Sequence, residues 1–462
     1  MLTNLDFLNT GEKFPPVCEQ RRMEMYQKNR ELFESEHSEV YREELKRIER
    51  VIGNFENIIS YPVVVNFQKE ISLTLADLLL GEPPLITADN QKMVDLIVAN
   101  GDSDEDLICT ANNATIDYSR YGDGLFHVYK DGEQPVIETL QPRTWFPVVS
   151  EDNIKKMRYH VLAWCYGDNE RLKVQIHSKG SYEEREYSIN KGIIGEMISL
   201  ETIKTGLKDF AIIQVSNTQT SDRITGIDDY TDVDSIIADI MVRIGQIDRI
   251  LDKHASPSVT GPQEALEQDP VSGEWRLKMG NYFPRINKDS PEVKYITWEG
   301  QLAANFTQLE KLINLLYTIS EMGSAIFGDM TGTTGQVASG IALRRLMIKP
   351  LSKTARARRK FDYAIKKAIR LCSQLNGKEL TNVNITWQDG LPIDELEQAT
   401  IMMNRTANKA TISQLTAIKM LSNLNDAKAD EELSRILDDE AVANPLNVPN
   451  IGGNDNPIVK QV

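Results

Sequence analysis

Tyr230-Thr231-Asp232-Val233-Asp234-Ser235-Ile236-Ile237-Ala238-Asp239-Ile240-Met241-Val242-Arg243-Ile244-Gly245-Gln246-Ile247-Asp248-Arg249-Ile250-Leu251 decides how the rest of the chain is read. Tyr230, Val233, Ile237, Ile240, Ile244, Ile247 and Leu251 recur at alternating steps of three and four. That is a heptad seam held for three repeats, which a helix keeps along one side. Asp228 can cap the start and Pro257 ends it. The spacing predicts a helix of roughly 40 Å at 1.5 Å per residue. Its other faces carry Asp232, Asp239, Arg243, Gln246, Arg249 and Asp252.

Downstream, residues 257–300 lose the helical rhythm. Gly261-Pro262, Asp269-Pro270, Gly273 and Gly280 interrupt the chain, while Trp275, Tyr282, Phe283, Tyr295 and Trp298 supply aromatic anchors. This reads as a small α/β excursion. A second long helix follows, with Leu302, Phe306, Leu309, Ile313 and Leu316 in steps of four and three. A long helix, a compact insert and a second long helix make a hairpin with a tip. The stretch Gly328 to Gly340 is small and polar, a flexible connection. A third long helix is expected from about Ser339 to Leu375, kinked at Pro350 and stopped by Asn376-Gly377. Arg344 to Arg370 holds eleven basic residues and one acid, Asp362, a local charge of +10.

Upstream, the first 80 or so residues read as helical. Ser38 to Val51 mixes both charges at nearly every other position, a solvated face. Asn66 to Leu80 is apolar enough to be packed and is stopped by Gly81 and Pro83-Pro84. From Gly122 to Val215, short runs rich in β-branched and aromatic residues alternate with turns such as Asp131-Gly132 and Lys179-Gly180-Ser181. Leu125–Tyr129, Val136–Leu140, Trp145–Val149, Met157–Cys165 and Leu172–His177 are the clearest of these, and they predict an antiparallel sheet. At the far end a strand at Val383–Trp387 leads into helices over 393–443. Asp426 to Glu440 carries seven acids against Lys428 and Arg435, and a tail rich in Asn, Gly and Pro follows.

The whole chain has 462 residues and a formal charge of −16. That balance argues against coating nucleic acid through long-range attraction, which needs a positive footprint. No apolar run approaches the roughly 20 residues of a membrane span. The start lacks a basic region followed by a long apolar core, so no signal peptide is expected. Cys18, Cys109, Cys165 and Cys372 are far apart, which suits free, buried or partly buried thiols made in a reducing cytoplasm.

Several chemistries fail on their own motifs. Gly335-x4-Gly340 is followed by Ile341 and Ala342, so a P-loop's lysine and magnesium-binding hydroxyl are both missing. Asp102, Asp104 and Asp106 copy three calcium-loop positions, but Leu107 and Asn113 stand where Gly and the bidentate Glu are required. His37, His127, His160, His177 and His254 have no metal spacing. No cofactor, metal or enzymatic activity is expected. The basic helix has two readings: the stripe Arg345, Lys349, Lys353, Arg356 and Lys360 meets DNA phosphates, or it faces acidic surfaces of neighbouring subunits.

The order of these parts resembles the portal (head–tail connector) proteins of tailed bacteriophages, of the long non-contractile-tailed type. Four stretches carry the resemblance: Gly122-Asp123-Gly124-Leu125-Phe126-His127-Val128-Tyr129 followed by Gln141-Pro142; Thr225-Gly226-Ile227-Asp228-Asp229-Tyr230; Ser339-Gly340-Ile341-Ala342-Leu343-Arg344; and Thr386-Trp387-Gln388-Asp389-Gly390-Leu391-Pro392. The resemblance implies an elongated α+β subunit assembled as a ring, with twelve copies usual in the family. Residues 1–227 would be the wing, built of helices plus antiparallel sheet. Residues 228–256 and 301–328 would be the two stem helices, 257–300 the clip, and 329–339 the tunnel loop. Residues 340–392 would be the kinked helix and strand returning to the wing, 393–443 a helical crown, and 444–462 a mobile tail.

The same resemblance implies that Asp329, Met330, Thr331, Gly332, Thr333, Thr334, Gly335, Gln336 and Val337 line a DNA channel. Trp275, Tyr282, Phe283 and Tyr295 would dock the terminase large subunit and later a head-completion adaptor. Arg344, Arg345, Lys349, Lys353, Arg356, Arg359 and Lys360 would meet DNA or neighbouring subunits. Scaffolding and major capsid proteins are further implied partners, with double-stranded DNA passing through unread and no membrane involved. The setting would be the capsid vertex of a virion, after synthesis in the bacterial host cytoplasm. The competing reading is a helical DNA-binding structural protein that grips DNA with residues 344–370.

Overall fold

The computed structural model describes residues 1–50, 63–100, 105–132, 134–255, 302–323, 346–388, 395–406, 411–422 and 426–443, with short strands between 258 and 296. Its chain divides into two compact units, Met1–Gly390 and Leu391–Val462. Helices and antiparallel strands are segregated along the sequence, an α+β arrangement.

The first unit opens with α1 (Val17–Phe33), α2 (His37–Val40), α3 (Arg42–Arg50) and α4 (Phe67–Leu80). α4 starts where the Asn66 side chain accepts the Lys69 N–H at 2.9 Å. It stops at Gly81, where a Cβ would lie 2.5 Å from Asp77 O. Its residues Ile71, Leu75 and Leu79 are buried. α3 exposes most of its charges, as the mixed signs suggest, and buries Ile48. Next come β1 (Leu85–Thr87), α5 (Gln91–Val98) and α6 (Leu107–Tyr121). Asp106, the third acid of the calcium-like run, caps α6 by accepting the Cys109 N–H at 2.7 Å.

The expected antiparallel sheet is two sheets. The strands are β2 (Asp123–Asp131), β3 (Gln134–Thr139), β4 (Trp145–Val149), β5 (Met157–Tyr166), β6 (Arg171–Ser178), β7 (Ser181–Asn190), β8 (Ile193–Lys204) and β9 (Ile212–Ser216). β2 lies between β3 and β9, and β4 to β8 form a five-stranded meander. β7 and β8 carry too many charges to announce themselves as apolar runs. They are held by the ladder and by cross-strand pairs such as Lys173–Glu184 at 2.7 Å and Arg171–Glu186 at 3.0 Å. One face of the meander packs Phe146, Val161, Val174 and Ile176 against Phe7, Leu8 and Phe14. Leu125, Trp145, Leu162 and Ile212 form a small core of their own.

The seam helix is α7 (Asp234–Ala255). It begins later than the Asp228 cap predicts. Asp228 instead accepts the N–H groups of Tyr230 and Thr231, at 2.9 and 2.8 Å, and closes a turn. Tyr230, Val233, Ile237 and Ile240 are buried as the seam requires, but so are Met241 and Val242 on other faces. α3 accounts for part of that burial: a Cβ on Gly245 would lie 2.6 Å from Ile48 Cδ1. Arg47 pairs with Asp239 at 3.0 Å and Arg249 donates to Ile48 O at 3.0 Å across the same contact.

Beyond α7, β10 (Ser258–Thr260) pairs with β13 (Lys294–Ile296), and β11 (Leu266–Gln268) with β12 (Trp275–Leu277). α8 (Leu302–Ile319) and α9 (Ile348–Leu375) follow. Pro350 lies in the first turn of α9, where an N–H would have no helical partner. Residues 339–345, the expected upstream arm of a kinked helix, lie outside the described residues. β14 (Asn384–Thr386) pairs with β1. The main core gathers residues of α4, α6, α7, α9 and β2, and Phe361 meets Tyr118 and Phe126 edge-on at 5.4 and 6.3 Å.

The second unit has α10 (Glu395–Thr406), α11 (Gln414–Ser422) and α12 (Asp426–Ala443), burying Met402, Ala417, Ile418 and Ala429. The tail at 444–462 lies outside the described residues. Among the described residues no helix is long and apolar enough to cross a membrane. Cys372 is buried and Cys165 partly so, but Cys18 and Cys109 are exposed, contrary to expectation, because both sit on the outer side of helix starts.

Candidate functional site: a polar junction beneath the long helices

Two of the stretches that carried the resemblance meet in space. Gly122 ends α6 with φ at +83° and faces Gly226 so closely that a Cβ on Gly226 would lie 1.9 Å from Gly122 O. Only glycine fits both sides of that contact. Asp123 is wholly buried between them. Its carboxylate accepts the Gly226 N–H at 3.1 Å, Gln214 Nε2 at 2.8 Å and the Tyr26 hydroxyl at 3.3 Å. Burial pushes the Asp123 carboxyl up, and the bonds from Gln214 and Gly226 oppose that. Asn217 N–H donates to Gly122 O at 2.7 Å.

Asp229 stands beside it, at the approach to α7. It accepts Ser119 Oγ at 2.8 Å, Asn217 Nδ2 at 3.1 Å and Lys353 Nζ at 3.1 Å. Its own N–H donates to Ser119 O at 2.9 Å. The Tyr230 and Ser72 hydroxyls share a hydrogen bond at 2.7 Å. The base of α7 is thereby tied to α4, α6 and β9.

The basic helix completes the junction. Lys349 donates to Thr318 O at 3.4 Å, and the buried Lys353 to Ser320 O at 3.0 Å. Arg356 pairs with Glu321, and Lys360 donates to Ser216 O at 2.5 Å and to Asn217 O. Three of these four groups receive the C-terminal end of α8, where unpaired carbonyls carry the negative end of the helix dipole. Burial pulls the Lys360 ammonium down, and Asp123 opposes that.

Elsewhere on α9, Arg358 donates to Leu78 O, Lys366 pairs with Asp362, Lys367 with Asp209, and Arg370 donates to Thr381 O. Arg359 is exposed. Besides DNA and neighbouring subunits, the stripe thus has a third destination, the subunit's own carbonyls and carboxylates.

The chain leaves α8 and enters α9 at one place. Gly323 has φ at +73°, and a Cβ there would lie 3.7 Å from both Leu346 O and Pro350 Cγ. Asp329 to Val337, Arg344 and Arg345 lie outside the described residues, as do Tyr282 and Phe283. Trp275 and Tyr295 are in β12 and β13, opposite Gln268 and Val259. Sequence reasoning missed Asp123, Asp229 and Ser119 as a cluster. The available signal was a carboxylate set between two glycines, in a turn that leads into a strand.

The junction ties the approach to α7 to α4, α6 and α9 through Ser72, Ser119 and Lys353. Among the described residues no group of His, Cys, Asp and Glu could hold a metal ion. The histidines His37, His127, His160 and His177 are packed into the fold, and Trp145 Nε1 donates to His160 Nδ1 at 3.1 Å.

The family model described as "Phage portal protein, SPP1 Gp6-like" matches residues 17–446. No curated protein matches the chain. Among solved structures, the chain is similar to one from the neck of a native GTA particle computed with C12 symmetry, at 11% identity over 77% of this chain and 88% of that one, with a TM-score of 0.45. It is also similar to one from the neck of an empty GTA particle computed with C6 symmetry, at 12% identity over 82% and 92%, with a TM-score of 0.48. A third comes from the virion of a native gene transfer agent particle, at 11% identity over 82% and 92%, with a TM-score of 0.47.

Proposed function

The chain belongs to the phage portal protein family of the SPP1 Gp6-like type, and on that premise we propose that it is the subunit of a ring-shaped channel at a capsid vertex. Double-stranded DNA is packaged, retained and released through that ring. The work is mechanical: a terminase hydrolyses ATP, and this chain guides DNA without chemistry of its own. The observation that carries the reading is the family match along nearly the whole chain. A second observation agrees with it. α8 carries Phe306 and Leu315, nine residues apart and so on opposite sides of the helix, at 46% and 45% exposure, apolar surface that the neighbours on either side in a ring would cover.

In this reading α7 and α8 are the stem, the strands between them belong to the clip, and 329–339 is the tunnel loop. The clip, with Trp275, Tyr282, Phe283 and Tyr295, docks the terminase and then an adaptor. The junction of Asp123, Asp229 and Lys353 fixes the stem to the wing, so that force on the stem reaches the sheets. Most of the basic stripe is committed to that junction, which favours a channel that does not grip its cargo. Light scattering with negative-stain imaging of the purified protein tests this. Rings with a central hole and a mass near a dozen subunits are expected. A compact dimer that binds duplex DNA tightly would overturn it in favour of the DNA-gripping reading of 344–370.

A further inference from the structure

A cavity of about 330 Å³ opens at one end of the five-stranded sheet, lined by Ser150, Lys156, Met157, Arg158, Lys179 and Phe210. Three of these six are cations and none is an acid. They come from two segments: Lys156 and Arg158 flank Met157 at the start of β5, and Lys179 sits in the hairpin between β6 and β7. Lys156 and Arg158 are exposed and form no ion pair among the described residues; the Arg158 guanidinium lies 5.5 Å over the Tyr159 ring. Lys179 lies over the Phe210 ring at 5.4 Å and pairs with Asp209 at 3.1 Å.

Asp209 also pairs with Lys367, at 2.8 Å. Its single charge is therefore shared by two ammonium groups and neutralises neither completely. Burial alone would raise Asp209, but the bonds from Lys367 and Lys179 and the Phe210 N–H hold it at about 2. Glu151 and Asp152 lie on the same turn but do not line the cavity. In a protein of net charge −16, a concave site walled by cations is an exception that calls for a ligand.

We propose that this cavity binds a phosphate group, either free or carried on a nucleic-acid backbone. Phosphate suits it better than a carboxylate. Three cations on two facing segments match a tetrahedral group with oxygens on several sides, whereas a carboxylate offers two oxygens in one plane. The site lies apart from the junction and does not depend on the portal reading.

The test is calorimetric titration of the full-length protein with inorganic phosphate, against chloride at matched ionic strength. It is repeated on the Lys156→Gln/Arg158→Gln double variant, whose exposed side chains leave the fold intact. Phosphate also stabilises proteins by general exclusion, so the variant is the decisive control. A loss of at least tenfold in phosphate affinity is expected. A 20-base-pair duplex is titrated alongside. If the variant also weakens duplex binding, and its salt slope falls by ~0.9 per cation removed, the natural source is the nucleic-acid backbone. If duplex binding is unchanged while phosphate binding falls, the source is free phosphate. Equal phosphate responses in the wild type and the variant, or none beyond chloride, would overturn the site.

Discussion

A methyl group on Gly226 would lie 1.9 Å from Gly122 O, against backbone that has no side chain to move aside. Gly226→Ala is therefore expected to cost about 2–4 kcal/mol. Gly132→Ala, at φ +59° but facing open space, should cost only about 1 kcal/mol. Urea unfolding of the two variants measures the difference. His160 and His177 add to the acid sensitivity of the first unit. Burial, with Lys367 near one and His127 near the other, lowers each to about 3. Below the ordinary value near 6.5 the unfolded chain takes up these protons and the folded chain does not. Stability is thus fully present above pH 6.5 and falls as pH drops towards 3, by up to about 1.4 kcal/mol per pH unit per histidine. Denaturant midpoints at pH 7 and pH 5 should differ accordingly, and a flat profile would contradict the buried neutral state.

At the scale of elements, α9 is the keystone. Along the stripe, Lys353 and Lys360 point into the subunit, while the exposed Lys349 and Arg356 reach along its surface to Thr318 O and Glu321, so its residues should matter to folding in proportion to their burial and partners. Lys353→Met removes the ammonium from Asp229 and Ser320 O and leaves a largely buried carboxylate without its cation. A loss of roughly 3–5 kcal/mol is expected. The exposed Arg359→Gln should stay within about 0.5 kcal/mol. Chemical denaturation ranks the two, and equal effects would mean that the stripe does not hold the helices together.

For the whole molecule, the half-covered α8 is informative. Phe306→Glu with Leu315→Glu changes two exposed positions and should leave helix content by circular dichroism unchanged. On the portal reading it should lower the fraction of protein found in rings by light scattering. Persistence of rings in this variant would place the inter-subunit surface elsewhere.

Periodicity is a local property, so the long helices, the sheet region and the helical end were legible in the residues alone. The seam from Tyr230 to Ile240 is buried as its spacing predicts, and the family membership expected from four short stretches holds over residues 17–446. The positions 329–337, by contrast, were read from resemblance, and the residues by themselves suggest only a flexible link. Three things were decided by tertiary structure. The strand region became two sheets, because pairing depends on which edges meet. α7 began late, because Asp228 closes a turn of its own. Two residues of the basic stripe, Lys353 and Lys360, turned inward, because a run of charge names no partner until the end of α8 and the carbonyls of Ser216 and Asn217 are folded against it. Sequence sets which residues share a face; only the packed chain sets what that face meets.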